Sequence, residues 1–239
     1  MFGPPTPLFD WVAGVGVALA GALAWLAYFR WKDAHPEPLR LVLAAYLSGG
    51  VAVVLALAGY AAATALGLPS ERGDSVGAVA RFCLVTVGPV EEGAKFLTAW
   101  LLFFRRRECD EEIDGLVYAT AVALGFSCVE NVLYVPRISG FARLARAAAT
   151  PLSHSVFAAL WGLGWAHGRF EARTARGRFL WPALGFLAAA VCHAAYDLAI
   201  LGYDATLTSG VLVFALWAWL VLRARALVPG PVPLRDRSS

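Results

Sequence analysis

Seven apolar stretches follow one another along this chain, at about residues 9–29, 41–67, 76–104, 115–136, 151–168, 179–203 and 208–224, each closed by Arg, Asp, Glu, Gly or Pro. A helix of about 20 apolar residues, rising ~1.5 Å per residue, crosses the ~30 Å hydrocarbon core of a bilayer. Composition points the same way. Of 239 residues, 59% are apolar and 15% charged, against roughly 45–50% and about 25% in a soluble domain, so too little polar surface is left to face water all round. The chain predicts an all-α, polytopic bundle of about seven transmembrane helices in the cell membrane. Residues 1–225 are expected to form one integral-membrane domain, and 226–239, rich in Pro, a disordered tail.

Lys and Arg divide unevenly between the breaks. Fourteen fall on one side, among them Arg30, Lys32 and Arg40, Arg105, Arg106 and Arg107, and Arg169, Arg173, Arg176 and Arg178; five fall on the other, and Lys95 lies inside a span. The positive-inside rule makes the richer side cytoplasmic, which places the N-terminus outside and the C-terminus inside. A net charge of +3 is too small to make nucleic acid a partner. Residues 1–5 carry no Lys or Arg, so the first stretch is expected to stay as a span and not to be removed as a signal peptide. The four cysteines offer no CxxC and no close pair, and so neither a disulfide framework nor a thiolate metal site.

Ionisable groups inside spans cost at least ~2.5–3.5 kcal/mol each on insertion scales, so those that persist need partners or a use. Glu91, Glu92 and Lys95 stand in the third stretch, Glu130 in the fourth, His154 in the fifth, and His193 and Asp197 in the sixth. Lys95 is four residues from Glu91 and three from Glu92, so on a helix it neutralises either carboxylate but hardly both. Gly88-Pro89 interrupts the third stretch, and a helix restarting at Pro89 would place both carboxylates in its first turn, where the dipole and free N–H groups favour an anion. His193 and Asp197, four apart, share a face, so the Asp would fix the tautomer of the imidazole or raise its basicity. Counting helical rise from the outer boundaries brings these groups into the outer half of the membrane. Three Glu and two His around a wet cavity would support general acid–base or metal-assisted hydrolysis. A proton- or cation-coupled transporter would use the same residue types in a relay, although no internal repeat accompanies them.

Other features read as structure. Trp161, Trp165, Trp181, Trp217 and Trp219 fit lipid contacts or interface belts, Gly49-Gly50 a close helix approach, and His167 an interfacial histidine. Residues 137–149, with Arg137, Arg143 and Arg146, read as an amphipathic outer interfacial segment.

Glu91-Glu92-Gly93-Ala94-Lys95, then Asp110 to Asp114-Gly115, then Phe126 to Glu130-Asn131, then His154 with Gly162 eight later, then His193-Ala194-Ala195-Tyr196-Asp197, follow in this order over about residues 85–200. In them the chain resembles the PrsW family of intramembrane proteases. The resemblance implies site-1 cleavage of a single-pass membrane protein, of the anti-sigma-factor kind, on the extracytoplasmic side, as a step of regulated proteolysis. The family is similar in turn to the CAAX-protease and bacteriocin-processing group of glutamic intramembrane proteases, with their EExxxR, FxxxH and HxxxN. Here Glu130 stands where the first His would, Asp197 where the Asn would, and Lys95 closes the EE block after two residues.

The catalytic set implied is Glu91, Glu92, Glu130, His154 and His193, supported by Lys95, Asn131 and Asp197. Two mechanisms stay open. In one, Glu91 takes a proton from water held against His154 or His193. In the other, Glu130, His154 and His193 bind zinc or another divalent metal, and Glu91 or Glu92 is the base. Asp114 is expected to cap the fourth stretch. Glu111 matches a carboxylate of the family but lies on the opposite face.

Overall fold

The computed structural model of the chain describes residues 8–32, 36–135, 138 and 140–227, and among them there is no β-strand. All seven apolar stretches are helical. They form α1 (Leu8–Lys32), α2 (Leu39–Ala65), α3 (Val76–Phe82) running through a π-helical turn (Cys83–Val87) into α4 (Gly88–Leu102), α5 (Glu112–Tyr134), α6 (Gly140–Ala166), α7 (Ala175–Tyr203) and α8 (Thr206–Leu227). Four of these, within α1, α2, α5 and α7, are long and apolar enough to cross a membrane, and Thr208–Leu220 of α8 is a shorter apolar helix. The third stretch is divided by the π turn, and α6 opens with Arg143 and Arg146. Helix α8 runs to Leu227 and so takes in the first two residues of the expected tail; 228–239 lie outside the described residues.

Helix α5 occupies the centre. Every residue from Ile113 to Cys128 is buried, as befits a helix that is apolar on all sides, and α1, α2 and α6 pack around it. Helix α7 closes on α6 and α4, and α4 also lies against α2. Exposed Leu, Val and Trp side chains on α1, α2, α7 and α8 face outward, the surface that lipid would cover. Glu111 caps α5, and the Asp114 carboxylate accepts from the Glu111 and Asp110 backbone N–H groups at 2.7 and 2.9 Å. Asp114 thus completes the cap from the third helical position, with Glu111 as the cap residue itself.

Where lipid surrounds the helices, close packing of backbones replaces the hydrophobic drive between them. The tightest such approach is between α2 and α5. A Cβ on Gly125 would lie 1.7 Å from the Tyr46 carbonyl oxygen, and one on Gly49 2.2 Å from the Phe126 nitrogen, whereas Gly50 has nothing within 4 Å. Of the expected pair, only Gly49 makes the contact. Gly125→Ala is therefore expected to destabilise the protein by at least about 1–3 kcal/mol, read as a lower melting temperature in detergent. Gly50→Ala should leave that temperature unchanged.

As expected, an α-helix begins again at Gly88-Pro89 with Glu91 in its first turn, but it follows a π-helical turn and so lacks a free N-terminus. Phe82, Val87 and Gly88 all keep right-handed helical angles, and the Gly88 N–H bonds to the Cys83 carbonyl five residues back. Pro89 has no N–H to give and its ring crowds the carbonyl four residues earlier; the wider π turn relieves that conflict without opening a new N-terminus. The anion-favouring first turn predicted for Glu91 and Glu92 is replaced by side-chain partners. Residues 140–149, expected as a separate interfacial segment, are instead the first turns of α6, which continues through Pro151. Near that proline, Trp25 Nε1 donates to the Ala148 carbonyl at 3.1 Å. Arg137 lies outside the described residues.

Candidate active site

Gly88 sets the site by letting α4 touch α7: a Cβ there would lie 2.3 Å from the Ala190 carbonyl oxygen. One turn further on, Glu91 and Glu92 meet His193, which is one turn beyond Ala190. Helix α6 brings His154 and Trp161, α5 brings Glu130, and α2 brings Tyr60.

Glu92 is fully buried and accepts three hydrogen bonds. Its Oε1 receives Lys95 Nζ at 2.6 Å and His193 Nδ1 at 2.7 Å, and its Oε2 receives Trp161 Nε1 at 2.9 Å. A carboxylate only accepts, so His193 carries a hydrogen on Nδ1, and in the neutral ring the free lone pair is on Nε2. That nitrogen stands 3.8 Å from Glu91 Oε2 and 3.5 Å from Asp197 Oδ2. Phe157 stacks on the same ring at 5.1 Å. The carboxylate that orients His193 is thus Glu92, a hundred residues away in sequence; the expected Asp197 faces the other nitrogen.

Glu91 differs from its neighbour. Its side chain is 15% exposed, Tyr60 donates to its Oε1 at 2.9 Å, and its buried Oε2 makes no hydrogen bond. Lys95, 3.9 Å from that oxygen, is committed to Glu92 and to His154 Nδ1 at 2.8 Å. Because an ammonium only donates, Nδ1 of His154 is an acceptor and Nε2 holds the hydrogen. Nε2 faces Glu130 Oε2 at 2.9 Å, and the other oxygen of Glu130 pairs with Arg146 at 2.8 Å. Asn131 is buried but its amide makes no hydrogen bond to the described residues. Glu111 is in the α5 cap and takes no part here, and His167 pairs with Glu112 at 3.2 Å.

The structure therefore brings together Glu91, Glu92, Lys95, Glu130, His154, His193 and Asp197. Tyr60, Arg146 and Trp161 join them unforeseen. Trp161 and Trp165, expected at the lipid, are buried, while Trp181 and Trp219 are exposed.

The donor atoms that converge most tightly are a carboxylate oxygen of Glu91 and one nitrogen each of His154 and His193, all within 4.8 Å of one another. Glu91 stands where Glu130 was expected, because Glu130 is taken up by His154 and Arg146. Two imidazoles and a carboxylate match a hydrolytic zinc site that keeps an open position. Glu91 Oε2 makes no hydrogen bond, and His193 Nε2 lies 3.8 Å from it and 3.5 Å from Asp197 Oδ2, so both could take that role. His154 would complete the set only by giving up its contact with Lys95 or with Glu130. Charge fits as well. Four carboxylates, Glu91, Glu92, Glu130 and Asp197, face two permanent cations, Lys95 and Arg146, so a divalent cation would balance the cluster.

Comparison with known proteins points to one group. A family model described as PrsW family intramembrane metalloprotease matches residues 37–222. "Protease PrsW" of Geobacillus kaustophilus is 29% identical over 211 residues, covering 87% of this chain and 89% of its own length. "Protease PrsW" of Bacillus subtilis is 26% identical over 77% of this chain and 80% of its own length, and that of Oceanobacillus iheyensis 26% over 87% and 91%. No solved structure matches.

Proposed function

This chain belongs to the PrsW family of intramembrane metalloproteases, and we propose that it cleaves a single-pass membrane protein of the anti-sigma-factor kind with Glu91, His154 and His193 holding a divalent metal such as zinc. The observation that carries the reading is that a buried Glu91 oxygen, which makes no hydrogen bond, meets two imidazoles inside a membrane protein. The chemistry such an ion supplies is Lewis acidity toward water and the scissile carbonyl.

The chain's own groups do the rest. Glu92 fixes the ring of His193 and, through Lys95, that of His154, as a hydrogen-bonded carboxylate does for metal-binding histidines. Glu130 and Arg146 hold the other edge of His154. Asp197, partly exposed and paired among the described residues only with His193 Nε2 at 3.5 Å, accepts the proton of the attacking water and returns it to the leaving amine. Seven spans in one integral-membrane domain, with the N-terminus outside, fit the arginine distribution. Arg105, Arg106 and Arg169, from two different breaks, line one cleft and so lie at one end of the bundle.

Protein purified without chelators is expected to carry close to one zinc per chain. His193→Ala should reduce that to background, and activity lost to a chelator should return with zinc. Full cleavage by metal-free protein would instead assign the reaction to water activated between Glu91 and an imidazole.

A further inference from the structure

Beyond the last turn of α4, away from Glu91 and the histidines, a cleft of about 310 Å³ opens between the ends of α4 and α6. We propose that it binds the phosphate headgroup of an anionic phospholipid. Its floor is apolar: Phe104 and Trp165, both buried, stack with ring centroids 4.0 Å apart and planes at 15°. One wall is Trp100, 40% exposed, continuous with the exposed Leu101 and Leu102. The rim carries Arg105, Arg106 and Arg169.

Three observations select the ligand. First, no carboxylate lines the cleft, and among the described residues none of the three arginines has an acidic partner within ion-pair distance. Second, the guanidinium groups are anchored without being neutralised. Arg105 lies 5.7 Å from the Trp100 ring centroid and Arg169 5.7 Å from that of Phe170, while Arg106 donates its Nε to the Leu102 carbonyl at 2.7 Å and lies 5.8 Å from the Phe103 centroid. Third, the cations adjoin an exposed apolar strip at the end of a membrane helix. A phosphodiester attached to acyl chains matches both the charge and the strip, whereas free phosphate would leave Trp100 and the leucines without a role. Occupancy would tie the end of α4 to that of α6. Phe104 also packs edge-on against Trp161, the donor to Glu92, with ring centroids 6.1 Å apart.

The test uses the full chain in detergent, titrated with phosphatidylglycerol, phosphatidylcholine or inorganic phosphate, with lipid retention by native mass spectrometry and melting temperature as readouts. Phosphatidylglycerol should bind and raise the melting temperature, and phosphatidylcholine should not. Removing an arginine should weaken binding roughly fivefold, so Arg105→Gln/Arg106→Gln/Arg169→Gln should lose about a hundredfold. The control Arg173→Gln/Arg176→Gln/Arg178→Gln should lose far less. Should the cleft triple variant already melt lower in phosphatidylcholine, the single Arg105→Gln and Arg169→Gln variants carry the comparison. Equal losses in both triple variants, equal binding of phosphatidylcholine, or full competition by millimolar inorganic phosphate would each overturn the proposal. None of these readouts depends on proteolysis.

Discussion

Glu91→Gln is expected to lower cleavage of a single-pass substrate in proteoliposomes by about 10²–10⁴-fold while the melting temperature stays within a degree or two of wild type. The amide keeps an oxygen for the Tyr60 hydroxyl, and Lys95 keeps Glu92 as its near partner at 2.6 Å, so nothing charged is stranded. What disappears is the anionic oxygen that faces His193 and His154 without a hydrogen bond. Cleavage within tenfold of wild type would show that this oxygen neither holds a metal nor handles a proton.

The adjacent residue should behave oppositely. Glu92→Gln leaves Lys95 and His193 buried without their anion, and breaking a buried pair by removing one partner typically costs ~3–5 kcal/mol. We expect this variant to melt well below wild type and to be inactive as well. Adding Lys95→Met removes the stranded charge and should restore much of the stability without activity. A Glu92→Gln protein as stable as wild type would mean that the Glu92 carboxyl is not charged in the folded state. The two neighbouring carboxylates are thus separable: one variant loses turnover alone, the other loses turnover and fold.

Spacing made the helices and the cluster legible, and it stopped short of their pairing. Glu91, Glu92 and Lys95 within one helical turn announce a shared charge, but i,i+3 and i,i+4 contacts are equally open on an isolated helix. What gives Lys95 to Glu92 is the arrival of His193 and Trp161 on the same carboxylate, contacts that no local pattern contains. Likewise the four-residue spacing of His193 and Asp197 correctly puts them on one face, at 3.5 Å, yet the hydrogen bond that orients the ring comes from α4. The unforeseen members were hidden for different reasons. Arg146, His154 and Trp161 lie eight and seven residues apart, a stripe along one helix face, but Pro151 suggested a boundary that cut off Arg146 where α6 in fact continues, and an indole in an apolar span reads as a lipid contact. Tyr60 gave no signal, being one of four hydroxyl side chains, with Tyr46, Ser48 and Thr64, in an Ala- and Leu-rich span.

Three partners of Glu92 and Lys95, namely His154, Trp161 and His193, stand 59, 69 and 101 residues further along the chain. During synthesis, α4 leaves the ribosome with Tyr60 already made for Glu91 and Lys95 beside Glu92, but without the two imidazoles and the indole that complete the contacts of Glu92 and Lys95. It is thus an improbable candidate for early, independent release into lipid. Its full set of contacts must wait for α6 and α7, so truncation before residue 193 would leave Glu92 without the imidazole that completes its hydrogen bonds.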